Sequence, residues 1–203
     1  DTDSRGAGGV PRAGGSGIGI VRYLGDAVNF LDTAAADTFA TTTGTLAGAD
    51  VDANTTLTYG IANVTVTNGV ATKVGTYGTL AVTATTGAYT FTPNAVAINA
   101  LAANTTETFT VTVSDGTATT TATLTVTLTG ANDTPTLTTV AALTGGTEDT
   151  AYEITSAALA AAADEADAEG TALSFRVEAV STGTLEKGGG STWVAVTVGT
   201  TLL

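Results

Sequence analysis

Residues 123–135 read Thr123-Leu124-Thr125-Val126-Thr127-Leu128-Thr129-Gly130-Ala131-Asn132-Asp133-Thr134-Pro135. Leu124, Val126 and Leu128 alternate with threonines, the period-two pattern of a strand with one face in a core and the other in water. Gly130 ends the run, and Pro135 has no N–H to give to a ladder, so Asn132 and Asp133 fall in an exposed, oxygen-rich joint. Related motifs resume beyond it. The expected fold is therefore all-β, two copies of a sandwich unit hinged at this linker.

Upstream, the same alternation recurs at the spacing of a sandwich. Leu57-Thr58-Tyr59, Leu80 with Val82, and Phe109, Val111 and Val113 read as strands, and Val64 to Ala71 and the stretch around Tyr89 and Phe91 as hairpins, about seven strands in all. Asn68-Gly69 is the strongest of the turn signals, because both residues accept the positive φ of a type I′ hairpin. Asp115-Gly116 is a second turn. Val96, Ile98 and Leu101 among alanines predict one or two helical turns between strands, and a longer helical stretch is expected over Ser156 to Ala163.

Downstream, Asp167-Ala168-Glu169 followed by Leu173-Ser174-Phe175 repeats the order of Asp50-Val51-Asp52 followed by Leu57-Thr58-Tyr59. Gly183-Thr184-Leu185 echoes Gly78-Thr79-Leu80. Two matches in one order are the mark of an internal repeat. The last strands of the first copy have no counterpart before Leu203, so the second sandwich is expected to be incomplete within this chain. The organisation that follows is a Gly-rich linker or assembly arm over 1–17, an N-terminal strand extension over 18–36, a sandwich over 37–133 and a partial sandwich over 134–203. Residues 18–36 are read either as an edge strand of the first sandwich or as a strand donated to a neighbouring molecule.

Composition removes several function classes. A net charge of −13, with six Lys and Arg against nineteen Asp and Glu, leaves nothing to neutralise phosphates, which argues against nucleic acid. Absence of cysteine excludes disulfides and thiolate chemistry, and absence of histidine removes the commonest general base and transition-metal ligand. A Ser-His-Asp triad cannot form, and the chain is expected to be non-catalytic. No apolar run approaches a membrane span, so membrane insertion is not expected.

Hard-cation chemistry remains. Asp50 and Asp52, two apart at a strand start, can point the same way in an extended chain. At about 4 Å two such carboxylates repel by about 4 kcal/mol at an effective dielectric of 20, which a divalent ion reverses. Asn132 and Asp133 in the linker, with Glu148, Asp149, Asp167 and Glu169 beyond it, offer the oxygen ligands that Ca2+ accepts in irregular sets. Solvated turn acids are the alternative reading of the same residues.

The first copy resembles the VCBS repeat of very large bacterial surface adhesins and calcium-dependent exported proteins. The likeness rests on Gly44-Thr45-Leu46, Asp50-Val51-Asp52-Ala53, Leu57-Thr58-Tyr59, Tyr77-Gly78-Thr79-Leu80, Tyr89 to Asn94, Phe109 to Gly116 and Thr123 to Pro135. The second copy is similar to the cadherin-like repeat found in tandem with such units, through Glu148-Asp149-Thr150-Ala151-Tyr152, Leu173-Ser174-Phe175-Arg176 and Ser181 to Leu185. The resemblance implies immunoglobulin-like or cadherin-like sandwiches, an extracellular or cell-surface location, and calcium at the acidic loops. Asn54 stands where an acid often follows the Asp50, Asp52 pair, implying a weaker first-copy site. Three roles fit: a calcium-stiffened stalk of a surface adhesin; a self-assembling filament whose identical subunits join head to tail by strand donation; and a carbohydrate- or surface-binding adhesin domain, with Trp193, the chain's one tryptophan, either a sugar platform or core.

Overall fold

The structure is a computed structural model and describes residues 22–24, 27–51, 55–189, 192–200 and 202. Among the described residues, nine strands lie between 22 and 129: β1 (Arg22–Leu24), β2 (Val28–Leu31), β3 (Thr42–Ala47), β4 (Thr58–Ile61), β5 (Val70–Val74), β6 (Gly78–Thr83), β7 (Ala88–Pro93), β8 (Thr105–Ser114) and β9 (Thr119–Thr129). They form two sheets, one in the order β1-β3-β7-β6-β5 and the other β2-β9-β8-β4. This is a β-sandwich, consistent with the cadherin-like architecture. A short helix, α1 (Ala95–Asn99), stands where the Ala-rich spacing predicts it.

Alternation along the strands explains the core. Leu80 and Val82 of β6, Phe109, Val111 and Val113 of β8, and Leu124, Val126 and Leu128 of β9 are all buried, and their threonine neighbours are not. Three rings stitch the sheets together. Phe91 of β7 lies with its centroid 5.7 Å from Phe30 of β2 and 5.9 Å from Phe109 of β8, the second pair edge to face. Gly78 is needed beneath this seam, because a Cβ there would run into the Phe91 ring. Val28, Phe30 and Asp32 are buried in alternation, so the inward face of β2 continues one step past the strand into a carboxylate.

Asn68 and Gly69 have φ of 52° and 82°, as a type I′ turn requires. The pairing there is the single bridge Thr67↔Val70, and Val64 to Val66 are not strand as the hairpin pattern suggested. β1 pairs with β3, from Arg22↔Ala47 to Leu24↔Thr45, so this part of the 18–36 extension joins a sheet of its own chain as an edge strand.

Beyond residue 130 the structure changes character. It holds α2 (Ser156–Ala162), whose N-cap Thr155 accepts the Ala158 N–H at 3.1 Å, and the hairpin β10 (Glu186–Gly189) with β11 (Thr192–Ala195). Asp164 fastens the segment before α2 by accepting the N–H groups of Thr138 and Thr139 at 2.9 and 2.8 Å and both their hydroxyls. Leu173 to Phe175, expected as a strand, have no strand assignment. Chain contacts separate two compact units. The first contains Phe39–Asn94, Thr106–Thr127 and the described residues up to Phe30; the second contains Leu31–Thr38, Ala95–Thr105 and Leu128 onward.

Candidate metal centre

Five carboxylates within the second unit act on one another. Asp32 leaves β2, and its backbone N–H donates to the Thr129 carbonyl at 2.9 Å. Its Oδ2 accepts the Ala131 N–H at 3.3 Å. Asp37 lies five residues on, with an Oδ2 that takes the Thr33 N–H at 2.6 Å. Asn99 clamps the Asp37 backbone from both sides, its Oδ1 accepting the N–H at 2.9 Å and its Nδ2 donating to the carbonyl at 3.0 Å. Asp133 follows β9, and its N–H donates to Glu169 Oε1 at 3.1 Å. Asp167 accepts the Thr171 N–H at 2.9 Å in a turn completed by Gly170 at φ 68°.

What sets the group apart is buried oxygen without donors. Asp32 and Asp133 are only 2% and 4% exposed. Asp32 Oδ1, both carboxylate oxygens of Asp133 and Glu169 Oε2 are buried and receive no hydrogen bond. Burial, followed by repulsion from Asp32, Glu169, Asp37 and Asp167, pushes the Asp133 carboxyl above the ordinary range. Burial also raises Asp32, with Asp37 and Glu169 adding repulsion against the lowering effect of the Ala131 hydrogen bond. Asp167 moves the other way, because the Thr171 N–H stabilises its charged form. The side-chain charges that act most strongly on Asp32 and Asp133 among the described residues are all other carboxylates.

Buried, unpaired, mutually repelling carboxylates are costly to a fold unless a cation joins them. The donor set consists of oxygen alone, which fits calcium and not a softer metal. Among the described residues no three Asp, Glu, His or Cys side chains stand close enough together to hold a metal ion as they are placed. A cavity of about 230 Å³, lined by Ala36, Asp133, Thr134, Thr136 and Asp167 among others, opens onto the two aspartates.

Of the residues singled out by sequence, Asp133, Asp167 and Glu169 meet in this group. Asn132 is exposed beside it, its Nδ2 donating to the Asp133 carbonyl at 2.8 Å. Glu148 and Asp149 are exposed in a separate turn, and neither is among the charges acting on Asp133. Asp50 lies in the first unit, and Asp52 lies outside the described residues. Asp32 and Asp37 were missed. The signal for Asp32 was legible, because a strand that buries Val28 and Phe30 turns its next alternate position inward too. Trp193 is 46% exposed on β11, so it is not core.

A family model described as a bacterial cadherin-like domain matches residues 26–130. The match falls on the first copy, whereas the cadherin-like resemblance was expected of the second. No curated protein and no solved structure matches the chain.

Proposed function

The chain belongs to the bacterial cadherin-like family, and from that premise we propose that it is a non-catalytic structural module of an extracellular or surface-associated bacterial protein, stiffened by calcium at Asp32, Asp37, Asp133, Asp167 and Glu169. Domains of this family generally bind calcium and are generally extracellular or surface-associated. Among the described residues no helix is long and apolar enough to cross a membrane. The VCBS likeness of the first copy points the same way, toward a stalk or adhesion unit of a large surface protein.

The observation that carries the reading is the Asp133 carboxylate, buried with both oxygens unsatisfied and repelled by four other acids. A bound divalent ion supplies the missing counter-charge. The chain's own residues do the rest. Asn99 fixes the loop that carries Asp37, the Asp133 N–H ties the linker to Glu169, and the Ala131 N–H orients Asp32. Three chain segments, 31–38, 130–134 and 164–170, are thereby held to one point. Without the ion, like charge drives them apart; with it, they form one stiff corner. Exported modules of this kind bind weakly, with Kd on the order of 10⁻⁴ to 10⁻³ M.

Calorimetric titration of the chelator-stripped chain with CaCl2 tests the reading. Heat of binding is expected in the native chain and is expected to vanish in Asp32→Asn with Asp133→Asn. Heat that survives unchanged in that double variant would remove this site, and no heat in the native chain would remove calcium. Asp50→Ala with Asp52→Ala, run alongside, reports whether the first-copy acids hold a second ion of their own.

A further inference from the structure

Hydrophobic burial is divided very unevenly along this chain. Among the described residues every buried hydrophobic side chain lies between Val28 and Leu128, and none from 134 onward is buried. That later stretch instead displays Tyr152, Ile154, Trp193, Val194 and Val198 at 44–66% exposure. Both strands of the β10–β11 hairpin are exposed at every position. An isolated two-stranded hairpin is marginal in water and gains from a further strand laid beside it. Nearby in sequence, the Val177 N–H donates to the Thr200 carbonyl at 3.1 Å, the Gly199 N–H to the Val177 carbonyl at 2.8 Å and the Leu202 N–H to the Phe175 carbonyl at 2.7 Å, so the ends of this stretch are also paired in extended fashion.

Charge indicates what covers it. Residues 134–203 carry nine carboxylates against Arg176 and Lys187. Between residues 4 and 21 the balance is reversed, with Arg5 and Arg12 and no acid. The same segment contains Gly17-Ile18-Gly19-Ile20-Val21, β-branched residues alternating with glycines slim enough for close backbone approach. We propose that the exposed hairpin surface around Trp193 is a docking site for residues 4–21 of a second copy of this chain, added as a strand, with its arginines toward the acidic segment and its isoleucines over the apolar face. Donor and acceptor are different surfaces, so the contact is heterologous and propagates into an open chain of subunits. It does not depend on the calcium reading.

Trp193, the chain's one tryptophan, reports directly on this surface. Full-length chain is followed by light scattering and tryptophan emission over a hundredfold range of concentration, in calcium and in chelator. The expected result is mass that grows with concentration, a blue shift of the emission and a severalfold fall in acrylamide quenching, all weakened by added salt. A synthetic peptide of residues 4–21 is expected to reproduce the blue shift on dilute chain and to stop growth, and the same peptide with Ile18→Asp and Ile20→Asp to do neither. A chain that stays monomeric with Trp193 open to quencher and unresponsive to the peptide overturns the proposal. So does a blue shift independent of concentration, or assembly that persists in the full chain carrying Ile18→Asp and Ile20→Asp.

Discussion

Gly130 joins the end of β9 to the acidic corner, and a single methyl group there is a sharp probe of how the two are connected. A Cβ at this position would overlap the Leu101 carbonyl and come within 2.7 and 2.8 Å of the Ala103 carbonyl oxygen and nitrogen. All three obstacles are main chain, so no side chain can swing aside and the backbone itself must move. Overpacking of this kind costs about 1–3 kcal/mol. In a chain of this length each kcal/mol moves the melting temperature by about 2–4 °C, so Gly130→Ala is expected to melt lower by about 2–12 °C. Displacement at residue 130 also disturbs its N–H bond to Asn104 Oδ1, 3.2 Å, and the neighbouring Ala131 N–H that orients Asp32. Calcium affinity is therefore expected to fall together with stability. Gly189→Ala is the matched control, since an added Cβ there meets nothing within 4 Å and φ is not positive. Circular dichroism melts of both variants, paired with calorimetric calcium titrations, decide the matter. If Gly130→Ala melts with the native chain and binds calcium equally well, the link between strand exit and acidic corner is refuted.

The sandwich and the acidic corner answer to different perturbations. Phe91→Ala removes the ring that bridges Phe30 and Phe109 in a fully buried site and is expected to cost about 3–5 kcal/mol by denaturant unfolding; a loss below about 1 kcal/mol would mean that the seam does not hold the sheets. The pH response should change sign with calcium. In chelator, Asp32 and Asp133 have folded pKa values above their unfolded ones, so their ionisation weighs against the fold. Stability then rises as pH falls through those raised values toward about 3.9. Below that it drops, because Asp115, held down mainly by the Ala118 N–H, Asp164, held down first by the Thr138 hydroxyl, and Asp167, by the Thr171 N–H, contribute stability that is lost on protonation. In saturating calcium, acidification is expected to destabilise throughout, since protons displace the ion. Melts from neutral pH down to about 3 with and without calcium would contradict this if the two curves ran parallel.

Period-two alternation sufficed to specify the all-β class, because each strand of the sandwich buries one face and shows the other to water. Leu80 with Val82, Phe109 with Val111 and Val113, and Leu124 with Val126 and Leu128 went inward as their spacing required. The Asn68-Gly69 turn and the two short helices were local enough to be read from their own residues. The acidic corner was not local. The Ala131 N–H meets the Asp32 carboxylate across 99 positions of sequence, and only the return of β9 alongside β2 makes them neighbours. Sequence pattern gathers Asp133, Asp167 and Glu169 as candidates by kind, and folding decides that Asp32 joins them while Glu148 and Asp149 stay in water. The exposure of Trp193 is likewise a tertiary outcome. Burial depends on whether a second layer exists to cover a strand, and no pattern within the strand itself can supply that layer.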